Sequence, residues 1–342
     1  MTSAWIGLNR RRLCSAGLSM ICILLCACSG QQSAITPQGP VAGRIAWFFW
    51  IMTGVAGAIL ALVLFLLLAG VFRGRQQAQS KPLTYSQSRN LVLVSGVVMP
   101  VAVLLGFTLF SAITDRVVAK PLPADALTIE IIGHQWWWEV HYLDNRQQRI
   151  ATTANEIHIP VGRPVRLLLK ATDVIHSFWV PNLSGKTDMI PGKTNTGWLQ
   201  ADQPGSYRGQ CGEFCGLQHA RMAFWVEAQP PEAFQSWLAR QREPAAAPAD
   251  PVLARGQAVF LASQCVMCHA VRGTRALGRV APDLTHFGGR KTLAAASVPN
   301  SRGHLAGWIL DPQGIKPGNF MPPTALAPDD LSALLDYLHS LK

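Results

Sequence analysis

The first 114 residues contain neither aspartate nor glutamate; none of the chain's 19 acidic residues comes before Asp115. A stretch that long without acid excludes an ordinary water-facing domain, whose surface mixes both signs. Charge is scarce overall, with 14% charged against 49% hydrophobic residues, a membrane-like balance. An excess of one sign is missing from the remainder, which holds 22 basic and 19 acidic residues from Asp115 onward. The formal charge of +11 therefore does not argue for nucleic acid. It comes from Arg10, Arg11 and Arg12 near the start and from Arg44, Arg73, Arg75, Lys81 and Arg89 beside apolar runs.

What is present in that first third is a leader and two long apolar segments. NRRRLCSAGLSMICILLCACSG has a basic start and a short apolar run, the pattern of an export signal over residues 1–27. Its end, Leu25-Cys26-Ala27-Cys28, resembles a bacterial lipobox, which implies cleavage leaving Cys28 as a lipidated N-terminus; an ordinary leader cut near Ala27 is the alternative. Ile45 to Phe72 and Leu91 to Thr114 are uncharged runs of 28 and 24 residues, each beyond the roughly 20 needed to cross a bilayer core. Together they predict a transmembrane hairpin over 40–118, with Pro100 kinking its second helix. The loop RGRQQAQSKPLTYSQSR carries four basic residues and no acid, so it faces the cytoplasm and everything after Asp115 lies outside.

Between 125 and 240 the pattern becomes that of short strands. LTIEIIGHQWWWEVHY, EIHIPV and PVRLLLKA are rich in β-branched and aromatic residues and are broken by Asp, Asn, Gly and Pro. PEAFQSWLARQ reads as a closing helix, and QREPAAAPADPV (241–252) as a linker. Within this region CGEFCGLQHARM places Cys211, Cys215, His219 and Met222 close together, and VIHSFWVPN adds His176 upstream. Exported thiols often pair, and a Cys211–Cys215 disulfide is one reading. It leaves the neighbouring donors unexplained, whereas two thiolates, two imidazoles and a thioether form a soft set suited to copper. One copper would take a Cys2His set with a weak methionine; two cysteines also allow both sulfurs to bridge two coppers.

C-x-E-x-C-x3-H-x2-M with an upstream HSF-x-VP resembles the binuclear copper A site of cytochrome c oxidase subunit II. GHQWWWEV (133–140) and KTDMIPGKTN (186–195) resemble two further signatures of that subunit. The resemblance implies an all-β cupredoxin domain, a Greek-key barrel, behind the helical hairpin. It implies two copper ions bridged by Cys211 and Cys215, with His176 and His219 as terminal nitrogens and Met222 as a weak sulfur ligand. Glu213 would lend its backbone carbonyl to copper and its carboxylate to a magnesium or manganese shared with subunit I. Trp136 falls where the family takes in electrons; plain aromatic packing is the alternative for Trp136 to Trp138. His134, His141 and His158 read as structural or surface residues. In one respect the chain departs from the family: SQSRNLVLVSG has no acid where members carry a glutamate associated with proton uptake.

After the linker, Cys265-x-x-Cys268-His269 reads as covalent haem c attachment, with His269 as an axial ligand. GNFMPP supplies Met321 as the expected sixth ligand; His286, His304 and His339 are rivals. Residues 253–342 resemble a small all-α class I cytochrome c domain. The combination implies an electron-transfer subunit in the bacterial inner membrane, its copper and haem c domains on the periplasmic side. Electrons would pass from a donor such as cytochrome c through haem c and copper to subunit I, with subunit III a further partner, for O2 reduction and proton pumping. A nitric-oxide reductase subunit shares most of these features. A membrane-anchored copper-delivery protein is the reading from another class.

Overall fold

The computed structural model describes residues 30–76, 83–119, 121–248 and 250–342. The leader and Cys28 lie outside the described residues. The chain divides into a helical unit, Gly43–Leu122, and a larger unit made of Met1–Ala42 and Pro123–Lys342.

In the helical unit, α1 (Pro40–Gln76) runs beyond the predicted apolar stretch at both ends. The second span is α2 (Tyr85–Leu93), a wide π turn (Val94–Val98) and α3 (Met99–Val118). Thr84 starts α2 with a capping box: its hydroxyl accepts from the Gln87 amide and the Gln87 side chain accepts from the Thr84 amide. Pro100 lacks an N–H and its ring would press on the carbonyl a turn before it; the π turn directly upstream accommodates both defects. Both helices are long and apolar enough to cross a membrane, with mean hydropathy of 2.9 and 2.4. They pack through Trp47 and Phe48 against Phe110, at 4.9 and 5.1 Å between ring centroids.

The larger unit begins with residues 30–42, which lie along the sheet domain: Gln38 donates to the Asn182 carbonyl at 2.7 Å and accepts from the Asp202 amide at 2.9 Å. The expected all-β domain is two five-stranded sheets. One has the order β3 (Arg149–Ala154), β2 (Trp137–Leu143), β1 (Thr128–His134), β5 (Val165–Ala171) and β8 (Asn195–Leu199). The other has the order β4 (Glu156–Pro160), β10 (Ala223–Gln229), β9 (Gly205–Cys211), β6 (His176–Trp179) and β7 (Thr187–Met189). Alternate residues of both sheets fill a shared core, in which Ile129, Ile131, Trp138, Ile157, Ile159, Leu169 and Phe224 are inaccessible to solvent. Trp138 stands at its centre, edge-on to Phe224 at 5.0 Å. The helix α4 (Pro231–Arg242) closes the domain by burying Phe234 and Leu238.

The haem-type domain is built on α5 (Pro251–Ala262) and α9 (Pro328–Ser340), which cross where Gly256 meets Ala333. A Cβ at Gly256 would come within 2.1 Å of the Ala333 carbonyl oxygen, so only glycine permits this approach. Gly256→Val is expected to cost about 1–3 kcal/mol by forcing the helices apart, read as a lower thermal midpoint of helical circular dichroism. Between them lie α6 (Cys265–Cys268), the short ladder β11 (Thr292–Leu293) with β12 (Val298–Pro299), α7 (Arg302–Leu310) and α8 (Pro312–Ile315).

The segment read as a free linker is partly tied down. Arg272 donates to the carbonyls of Gln241 and Arg242 at 2.6 and 3.0 Å, and Ala245 donates to the Arg272 carbonyl at 2.9 Å. Composition rich in proline and alanine carries no sign of bonds made to a residue 27–31 positions further on.

Candidate metal centre

Strand pairing assembles the donors. β6 pairs with β9 so that Phe178 faces Cys211, which carries His176 alongside the Cys211 sulfur; β7 pairs His176 with Met189. The loop after Cys211 returns as a short 3-10 turn, His219–Arg221, and delivers Met222 at the start of β10. One ligand atom each from His176, Cys211 and Cys215 lies within 4.8 Å of the others. Cys211 Sγ is 3.9 Å from His176 Nδ1 and 3.1 Å from the Glu213 carbonyl oxygen. Cys215 Sγ is 3.6 Å from His219 Nδ1 and 3.8 Å from Met222 Sδ. Both cysteines are free and buried, so the disulfide reading has no support in the geometry.

The two halves of the site are therefore Cys211 with His176 and the Glu213 carbonyl, and Cys215 with His219 and Met222. The Cys215 thiol against Cys211 holds the Cys211 thiol below its ordinary range while burial opposes this, and the same contact together with burial pushes the Cys215 thiol up. A site that already favours a thiolate among nitrogen and sulfur donors fits a soft metal. His176 is held from behind: Asp173 Oδ1 lies 2.8 Å from its Nε2, so Nε2–H faces the carboxylate and the Nδ1 lone pair faces sulfur. Burial works against the Asp173 charge, but the His176 bond and the Val174 and Gln135 amides keep its carboxyl below the usual range. Gly133 is required beneath this ring, because a Cβ there would come within 2.8 Å of His176 Cδ2.

Trp136, Trp137 and Trp138 have three different roles. Trp138 is core. Trp137 stacks on His134 at 4.3 Å. Trp136 donates its indole N–H to the Cys215 carbonyl at 2.9 Å, and the Gln135 side-chain Nε2 donates to the same oxygen at 2.8 Å. Glu213 turns its carboxylate to Lys186, with 3.0 Å between Oε2 and Nζ, which explains part of the KTDMIPGKTN signature. His134 and His141 bracket Glu139, each at 3.0 Å, and His158 bonds Glu156 at 2.9 Å. These three histidines lie in polar networks apart from the sulfur cluster.

In the helical domain Cys265 and Cys268 lie one turn apart on α6, both free. His269 Nδ1 donates to the Pro282 carbonyl at 2.7 Å, leaving Nε2 as the lone-pair nitrogen. Burial pushes the His269 imidazole below its usual pKa, keeping it neutral as an iron ligand requires. Met321 packs on the edge of the core of this domain, and its amide donates to Asn319 Oδ1 at 2.8 Å. This donor chemistry fits a covalent haem.

Residues 142–229 match the family model described as cytochrome C oxidase subunit II, periplasmic domain, and residues 253–342 match the one described as cytochrome c. The cytochrome c oxidase subunit 2 of Alkalihalophilus pseudofirmus is 33% identical over 341 residues, covering 95% of this chain and 96% of that one. The chain belongs to the cytochrome c oxidase subunit 2 family. The Bacillus subtilis member of the family is 33% identical over 264 residues, covering 74% of this chain and 72% of its own length. The solved periplasmic domain of subunit II of cytochrome oxidase from Bradyrhizobium japonicum is 31% identical, covering 36% of this chain and 97% of that domain, with a TM-score of 0.33. Membership in the subunit 2 family makes the chain part of an oxidoreductase complex. Its subunit II domain implies copper A and its cytochrome c domain implies haem.

Asp173, Gln135, Lys316 and Phe320 were not singled out from the sequence. Asp173 had a signal, since it stands three residues before a candidate ligand. Gln135 and Phe320 stand beside Trp136 and Met321 in quoted stretches, and Lys316 reaches the site only through long-range packing.

Proposed function

We propose that this subunit carries electrons from an external donor through haem c and a two-copper centre to a haem in catalytic subunit I, where O2 is reduced to water with proton pumping. The copper residues are His176, Cys211, Glu213, Cys215, His219 and Met222. Cys265 and Cys268 attach the haem, and His269 and Met321 are its axial ligands. The domain reading goes with this: hairpin over 40–118, copper domain 125–240, linker 241–252 and haem domain 253–342. Both soluble domains stand on the outer side of the bacterial inner membrane, with Cys28 as a lipid anchor and Glu213 bordering a magnesium or manganese at subunit I.

The observation that carries the reading is the convergence of two free buried thiols, two imidazole Nδ1 atoms, a thioether and a carbonyl in one cluster. When bound, the copper pair and the haem each supply a one-electron carrier. The residues provide what such carriers need: a donor set of sulfur, nitrogen and oxygen atoms, buried thiols, and the His176 and His269 rings fixed by outer partners. Purification with its partner subunits, followed by metal and haem analysis and comparison of O2 with NO consumption, tests the proposal. Rapid O2 uptake with two coppers and one haem c per chain is expected; NO consumption in its place would favour the nitric-oxide reductase reading.

Asp173→Asn tests the outer partner of His176. It keeps the shape but removes the charge that orients Nε2–H, and is expected to weaken copper retention against a chelator by about 10–100-fold. Unchanged retention would show that Asp173 serves the fold alone.

A further inference from the structure

The haem-type domain sits against the copper-type domain at three separate places. At the first, Lys291 donates its amide to Glu156 Oε2 at 2.9 Å, while its ammonium reaches Glu227 Oε2 at 2.6 Å and Ser206 Oγ at 2.9 Å. Glu227 and Glu156 are both buried, so this notch is shaped to take a cation. The second place is the turn between β11 and β12. Ala294, Ala295 and Ala296 have φ of 55°, 57° and 58°, three successive alanines in the left-handed region that L-residues avoid. The strained turn aims its carbonyls outward: Ala295 accepts from the Ala223 amide at 3.2 Å, directly after Met222.

The third place is the loop that leads to Met321. Lys316 is 3% exposed, and its ammonium donates to the Trp136 carbonyl at 2.7 Å and to the Ala294 carbonyl at 3.4 Å. On either side of it, Gln218 donates to the Pro317 carbonyl and Arg221 to the Ile315 carbonyl. Phe320, next to Met321 in sequence, stacks on the Trp136 indole with centroids 5.3 Å apart and planes 19° apart. Phe320 remains 74% exposed, so the Trp136 indole is its one ring contact among the described residues. The loop itself is held by a side-chain network, with Asn319 Nδ2 donating to the Pro312 and Lys316 carbonyls and Gln313 Oε1 accepting from the Gly318 amide.

We infer that the haem domain is latched onto the copper domain by Lys316, that Phe320 is the contact through which the two are electronically coupled, and that Trp136 is thereby closed to any outside donor. This rests on the cofactor assignment proposed above and deepens it. Trp136 is buried, and its surroundings come from this chain: the Cys215 carbonyl on the indole N–H, Lys316 on its own carbonyl and Phe320 on its ring. An outside protein must give its electron to the haem domain. The inner transfer moves one electron and no atoms: the haem loses one equivalent and the copper pair gains one, with no bond made or broken. A docked, short path replaces the freely diffusing tether that the linker alone would suggest. Lys316 is buried without a carboxylate, and its ammonium is satisfied by carbonyls on both domains, Trp136 on one and Ala294 on the other.

The test uses the whole chain assembled with its partner subunits. Hydrogen exchange of amides 135–138, 223 and 312–321 reports docking without reference to turnover. Photoreduction of the haem followed by absorbance at the copper bands reports coupling. Lys316→Met is expected to speed exchange at those amides about tenfold, the effect of one lost buried bond from a charged donor, and to let an added soluble cytochrome c reduce the copper directly. Phe320→Ala is expected to slow internal transfer about tenfold or more while both sets of absorption bands remain, and Phe320→Tyr to restore the rate. Equal exchange in wild type and Lys316→Met, or unaltered transfer in Phe320→Ala, would overturn the inference. A wild-type complex lacking copper or haem bands would overturn the cofactor assignment instead, and the exchange comparison would still decide docking.

Discussion

Serine in place of Cys215 is expected to abolish the two-copper spectrum and to lower electron delivery by at least about 100-fold, beyond what loss of an outer partner costs. A hydroxyl differs little from a thiol in size, so the buried site keeps its packing. Its chemistry changes completely: serine does not ionise near neutral pH, and its oxygen is a hard donor where copper prefers sulfur. Cys215 Sγ is the atom that links His219 and Met222 to the rest, at 3.6 and 3.8 Å. Without it, His176 and Cys211 remain as a half-site able to hold at most one metal. Metal analysis should fall from two coppers per chain to one or none while the haem absorbance is unchanged. Two coppers retained with an intact spectrum would remove Cys215 from the ligand set.

The metal motif was legible because most of its donors fall within twelve residues, 211 to 222, and the spacing sits on one turn of chain between β9 and β10. His176 was legible as an upstream donor in VIHSFWVPN, but what joins it to Cys211, a strand pairing across 35 positions, was not. The transmembrane runs were visible in hydropathy, but their ends were not. Capping at Thr84 and helical continuation past the basic residues extend both helices beyond the apolar windows. Local spacing also says nothing about Lys316 and Trp136, which lie 180 residues apart, or about Lys291 and Glu156, 135 apart. A buried lysine bonded to a main-chain carbonyl has no sequence signature. Three alanines in the left-handed region run against every local preference, so only the completed interface makes them intelligible. Donor side chains crowded into one loop could be read, and surfaces that meet across domains could not.

Met321→Ala is expected to leave the haem covalently attached and to erase its far-red thioether band. On the proposed assignment attachment depends on Cys265 and Cys268 on α6 and is read on a denaturing gel, independently of the sixth ligand. Each rival has one ring nitrogen tied to the protein and only its other nitrogen to offer: His286 Nε2 lies 3.0 Å from the Glu243 carbonyl, His304 Nδ1 2.8 Å from Ser301 Oγ, and His339 Nε2 3.2 Å from Asn300 Oδ1, and His286 Nδ1, buried without a hydrogen-bond partner, makes His286 the rival that the variant must exclude. Met267, in the attachment turn, is 74% exposed and faces away from the core. Thioether ligation raises a haem potential, so its loss lowers it. Each ~59 mV costs tenfold in a one-electron equilibrium, and a fall of about 150 mV would disfavour the reduced haem a few hundred-fold. The donor could then no longer fill the haem, and O2 uptake should drop by a similar factor at fixed donor. Phe320→Ala, one residue away, is expected to preserve band and potential and to change only the internal rate. The pair of variants therefore separates a ligand from a contact at adjacent positions, and a band that survives Met321→Ala would assign the iron to another side chain.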